Sequence, residues 1–148
     1  MSFVHELRRL RAEHAELLRL ARALTELLGA SAAPPSAVIE PVREELRGTL
    51  RRHLKCEDWA LYPRLRATGE AAAADLAREF AGAMGHAADD YDDYERRWPP
   101  SRVAAEWDRF CAESTAILEA ITARIERENR ELYPVVDQLA GATLSASR

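Results

Sequence analysis

Lysine is nearly missing from this sequence: of 21 basic residues only Lys55 is a lysine. Arginine is the ordinary cation of the chain, so an arginine in an unexpected place is less surprising than it would be elsewhere. Cysteine is scarce as well. Cys56 and Cys111 are the only two, each inside a helical pattern and without framework spacing, which points to reduced thiols. No apolar run approaches about 18 residues, so no membrane-spanning helix is expected. The opening MSFVHELRRLRAEH is too charged for a secretory leader. A cytoplasmic protein is the resulting expectation. A net charge of −4 gives no reason to expect nucleic acid or an anionic membrane as partner. Glycine-rich phosphate loops and period-two alternation are also lacking, which removes nucleotide-binding α/β folds and half-buried sheets.

What is present is helical periodicity. The 148 residues are enough for one domain with a real core. From Phe3 the seam runs Phe3, Leu7, Leu10, His14, Leu17, Ala21, Leu24, Leu28, in steps of three and four. Gly29 and SAAPPS end it. A second helix is expected from about Pro41, with Val42, Leu46, Leu50, His53 and Glu57 on its seam. Thr68 and Gly69 break it. A third covers roughly 70–97, with Leu76, Phe80, Ala83, His86, Asp90 and Tyr94 in line. WPPS at 98–101 supplies a stop and a new cap. The fourth seam reads Trp107, Phe110, Ser114, Ile117, Ile121, Arg124, Glu128, Leu132. The fold class expected is all-α, an antiparallel up-down four-helix bundle over residues 1–140, with 141–148 a frayed tail.

Polar residues interrupt these seams. His14 comes from the first helix, His53 and Glu57 from the second, His86 and Asp90 from the third, Arg124 and Glu128 from the fourth. Residues four apart share a helix face, so each pair can point at one centre. Burying an unpaired carboxylate costs at least several kcal/mol, so these groups must pair or hold a metal. Imidazole with carboxylate suits iron, zinc or manganese. A histidine on a seam can equally be a hydrogen-bonded core residue, and Asp90 opens DDYDDYE, which can be a solvated acidic face. Cys56, His5 and the aromatic residues have simpler roles. Cys56 packs and His5 lies on the surface. Tyr62, Tyr91, Tyr94 and Tyr133 fill the core or donate hydrogen bonds, and Trp59, Trp98 and Trp107 fill the bundle or plug helix ends.

The chain also repeats itself. RHLKCEDWALYP at 52–63 aligns without a gap to ARIERENRELYP at 123–134, placing Glu57 on Glu128 and His53 on Arg124. With LYP after each acidic residue, the order of candidate ligands resembles the hemerythrin family of HHE cation-binding bundles over essentially the whole chain. Ferritin-like bundles use ExxH pairs, which neither copy has. The resemblance implies a di-iron centre held by His14, by His53 and Glu57, by His86 and by Glu128. His14 and His53 would serve one iron, and Glu57 and Glu128 would bridge. The family pattern has histidines where this chain has Asp90 and Arg124, both in the second half-site.

An arginine cannot ligate a metal, because its guanidinium keeps its proton in proteins. It can fork onto a carboxylate. The expectation is that Arg124 pairs with Asp90, and also with a bridging glutamate, standing where the second iron's charge would be. Three functions remain open: a non-haem iron module that binds or senses O2, NO or iron, with one or two ions; an oxygen- or peroxide-handling iron enzyme; or a metal-free salt-bridged bundle acting as an interaction scaffold. The sequence decides neither the oligomeric state nor the catalytic residues of such an enzyme.

Overall fold

A computed structural model describes residues 3–146, with side chains described to Gly141. All regular structure among the described residues is helical. The order is α1 (Phe3–Leu28), α2 (Ser36–Cys56), a first π turn (Glu57–Leu61), α3 (Tyr62–Arg66), α4 (Ala71–Met84), α5 (Ala87–Arg97), α6 (Pro100–Ala105), α7 (Trp107–Arg127), a second π turn (Glu128–Leu132) and α8 (Tyr133–Ala146). The π turns join helices without a break, so 36–66 and 107–146 include long continuous helical rods. α1 packs against α2, α7 and α8, while α5 packs against α2 and α7.

Several boundaries differ from the sequence reading. The second helix begins at Ser36, and Pro41 lies inside it. The extra turn is anchored by Ile39, which is buried. WPPS does stop the third helical stretch, and it then starts the short α6 before α7. The backbone expected to fray from residue 141 is helical to Ala146, and Ser147 and Arg148 lie outside the described residues. Trp98 and Trp107 are buried, whereas Trp59 is 75% exposed and lies against Lys55 rather than filling the interior.

The largest change is in the third helical stretch. Gly85 and His86 form a turn between α4 and α5. The inward residues are Ala73, Ala77 and Phe80 before the break and Tyr91, Tyr94 and Trp98 after it. Met84, Ala87 and Ala88 are half-buried between them, while Ala83, His86 and Asp90 are exposed. Between Phe80 and Tyr94, which both seams share, the inward positions are therefore one residue out of phase with the expected ones.

Two apolar clusters fill the interior. One gathers Leu17, Leu24, Leu46, Leu50, Tyr94, Phe110 and Ile121 among others. The other gathers Leu7, Leu10, Leu61, Leu65, Phe80, Leu132 and Val136. In the seams of α1, the 36–66 rod and the last rod (107–146), the polar residues fall between members of the two clusters. The site is thus a polar layer between two apolar layers, where water is excluded from both sides.

Candidate metal centre

His14, His53, Glu57 and Glu128 converge in that layer. Each is no more than 1% exposed, and their ligand atoms all lie within 4.8 Å of one another. The helices explain why. His14 sits mid-seam in α1, and His53 and Glu57 share a face one turn apart, with Nε2 of His53 3.0 Å from Oε1 of Glu57. Glu128 comes in from the last rod, with Oε1 3.1 Å from Nε2 of His14.

Both glutamates begin a π turn. Pro63 and Pro134 each lack an N–H and would clash with the carbonyl four residues back in a regular α-helix. The backbone responds by widening: Tyr62 N–H bonds to the Glu57 carbonyl and Tyr133 N–H to the Glu128 carbonyl, five residues back. In an α-helix a residue five positions on lies about 140° round the axis, and the wider turn brings each tyrosine back toward the glutamate's face. The two tyrosines then cross. Tyr62 donates to Glu128, and Tyr133 donates to Oε2 of Glu57 at 2.8 Å. Tyr133 also stacks on the His14 ring, centroids 4.8 Å apart, with its hydroxyl 3.0 Å from Nε2.

The imidazoles are oriented from outside. Nδ1 of His53 donates to Oε1 of Glu13 at 2.9 Å, and Nδ1 of His14 lies 2.7 Å from Oδ1 of Asn129. Partners of this kind fix the ring and turn Nε2 toward a metal. Nε2 of His53 is buried and has no properly directed hydrogen bond among the described residues, despite its closeness to Glu57. An orphaned imidazole nitrogen among carboxylate oxygens is what a cation site offers. The donors present fit one metal ion on this side of the layer.

Arg124 lies on the other side and is 3% exposed. Its Nη2 lies 3.0 Å from Asp58 Oδ1, 3.4 Å from Glu57 Oε1 and 3.3 Å from the Tyr62 hydroxyl. Nε lies 3.4 Å from Glu128 Oε2, and Nη1 donates to the Met84 carbonyl at 2.8 Å. The expected pair with Asp90 is not formed; the partners are both buried glutamates and Asp58. Asp90 is exposed in the first turn of α5, where an acidic residue is favoured by the helix N-terminus. His86 is also exposed and does not join the four converging donors. Both line a groove of about 460 Å³ that reaches Arg124 past Ala87, Ile117 and Ile121.

The charges constrain one another. Burial opposes ionisation of Glu57, but His53 and Arg124 outweigh it and hold this carboxyl well below its ordinary value. Burial and the neighbouring Glu57 push Glu128 well above its own. Two carboxylates this close share the available positive charge unequally. Burial disfavours the charged form of His53, yet Glu57 and the bond to Glu13 prevail and raise it to about 9. Burial and the adjacent His53 lower His14 to about 4.

Sequence reasoning missed Glu13, Asn129 and Asp58 and left the tyrosines between filling the core and donating hydrogen bonds. The signals available were adjacency: each missed polar residue is next in sequence to a candidate ligand, and each tyrosine lies in the repeated LYP. Among the described residues no helix is long and apolar enough to cross a membrane. Comparison with curated proteins and with solved structures gives no match. The sequence profile of the hemerythrin HHE cation binding domain does match, over residues 5–136, and with a buried His/Glu group able to hold a cation at its centre the chain belongs to that family.

Proposed function

We propose that this protein is a hemerythrin-like non-haem iron protein that binds or senses a small diatomic ligand, O2 or NO, or iron itself, in the cytoplasm. His14, His53, Glu57 and Glu128 hold the metal in an antiparallel up-down four-helix bundle. The carrying observation is the convergence of two imidazoles and two carboxylates, all buried, with one imidazole nitrogen left without a hydrogen bond. Two nitrogen and two carboxylate donors suit iron and also admit zinc or manganese; the family likeness favours iron. Bound there, iron supplies a Lewis-acidic, redox-active centre for a diatomic molecule. Glu13 and Asn129 keep the imidazoles aimed, Tyr62 and Tyr133 hold the carboxylates, and the apolar layers exclude water. The groove beside Arg124 supports access by a small molecule.

A second reading is favoured by Arg124. Its contacts with Glu57, Asp58 and Glu128 partly compensate the buried carboxylates without any metal, as a metal-free scaffold would need. Metal content per chain, measured by mass spectrometry on protein grown with iron and purified without chelator, separates the two. Bound iron whose removal lowers the melting temperature, and whose absorption changes with O2 or NO, is expected. Metal-free protein that takes up no iron and ignores chelator supports the scaffold instead.

A further inference from the structure

We propose that Arg124 is a tethered cation occupying the place of a second metal, so that the site takes one divalent cation per chain, on its imidazole side. This rests on the reading of His14, His53, Glu57 and Glu128 as a metal site. The internal repeat gives the first reason. His53 and Glu57 in one copy correspond to Arg124 and Glu128 in the other, each pair runs into a π turn, and the tyrosine beyond each turn bonds the opposite glutamate. Arg124 therefore stands in the repeat-related position of an imidazole donor.

The carboxylates divide the layer in two. Glu57 Oε1 touches His53 on one side and Arg124 on the other, at 3.0 and 3.4 Å. Glu128 presents Oε1 to His14 at 3.1 Å and Oε2 to Arg124 at 3.4 Å. Both glutamates bridge from imidazole to guanidinium. The guanidinium has no lone pair to offer and keeps its proton, so a second metal beside it would meet a like charge and lose a donor. It is also held in the layer: it donates to the Met84 carbonyl and to Asp58, and its central carbon lies over the Tyr62 ring, 5.5 Å from the centroid.

Charge favours a cation on the imidazole side. Asp58, Glu57 and Glu128 all contact Arg124. With Glu13 on His53, four acids face one guanidinium, which balances only one of them, so the layer keeps negative charge for a bound cation to offset. A cation there lowers the penalty of carboxylates left uncompensated in a buried layer.

Titration with Co2+, followed by native mass spectrometry and the cobalt absorption bands, tests this. Wild type is expected to saturate at one Co2+ per chain. Arg124→His, which places an imidazole beside Asp58 and the two glutamates, is expected to reach two. Arg124→Gln, which removes the charge without adding an imidazole, is expected to stay at one. Two Co2+ in wild type overturn the inference, even if no variant folds, and leave the metal-site reading standing. Arg124→His folding and remaining at one also overturns it, because the position then is not that of a metal. Binding by Arg124→His alone means that arginine fills the site outright, which overturns it too. No Co2+ in any of the three sinks the metal-site reading itself.

Discussion

Tyr133 donates its phenolic proton across the core to Oε2 of Glu57, 76 residues away in sequence, at 2.8 Å. Tyr62 returns the bond in the opposite sense, to Glu128. The carboxylate on each rod is thus held by the tyrosine of the other, and each tyrosine is aimed by a π turn that a proline imposes. The LYP repeat has a mechanical purpose: its tyrosine hydroxyls tie each buried acid to the opposite rod.

Removing one hydroxyl leaves a buried carboxylate oxygen without its donor. Tyr133→Phe is expected to lower the stability of metal-free protein by roughly 1–3 kcal/mol. Urea denaturation with unchanged slope checks this. A variant as stable as wild type would mean that Tyr133 contributes only its ring.

Glu13 holds His53 from outside the layer. Glu13→Gln keeps the shape but removes the charge that the Nδ1 proton bonds to. Metal affinity is expected to fall about 10–100-fold, with little change in the helical circular dichroism. Competition with a chromophoric chelator measures the affinity, and an unchanged value would detach Glu13 from the site.

The two buried histidines titrate in opposite directions from the ordinary value of 6.5. For His53, raised to about 9 by Glu57 and Glu13 against the cost of burial, the protonated form stabilises the metal-free fold. That contribution is complete below about pH 6.5 and is lost as the pH rises through about 9. For His14, lowered to about 4 by burial and by His53, the neutral form is favoured. Its contribution is present above about pH 6.5 and is lost as the pH falls toward about 4. Histidine C2–H resonances followed by NMR on metal-free protein are expected to show one midpoint near each extreme. Two midpoints close to 6.5 would contradict the ion pairing described here. Because metal uptake must displace a proton from His53, apparent affinity is expected to rise with pH between about 7 and 9.

Gly85 sits where α4 turns into α5, and a Cβ there would overlap the carbonyl oxygen of Ala81. That oxygen belongs to the backbone and cannot yield without moving the turn. Gly85→Ala is expected to cost roughly 1–3 kcal/mol, and it disturbs the Met84 carbonyl that Arg124 bonds to. A lowered melting temperature checks the first effect, and weaker metal binding checks the second.

Much of this was legible in the chain itself. An α-helix puts residues three and four apart on one face, so the seams through His14, through His53 and Glu57 and through Glu128 identified side chains that had to turn inward wherever the partners lay. The same rule held a clue that the sequence reading passed over. Between Phe80 and Trp98, Met84, Ala87, Tyr91 and Tyr94 alternate four and three strictly, whereas Ala83, His86 and Asp90 reach Tyr94 by two threes and two fours. The alternating set is the one that faces inward, and following it would have left His86 and Asp90 outside.

Other features no periodicity could supply. Which acid meets Arg124 depends on how far each rod is advanced along its neighbour, and that is set by packing over the whole interior. Glu13 and Asn129 reach the imidazoles only because α1, the 36–66 rod and the last rod lie side by side. The crossing of Tyr62 and Tyr133 needs both π turns at one level. Sequence by itself determined an all-helical chain and the inward faces on which His14, His53, Glu57, Arg124 and Glu128 lie, because those follow from local geometry. Tertiary structure decided which of those groups share a layer and that Arg124 pairs with Glu57, Asp58 and Glu128, because contact across helices is a property of their mutual placement.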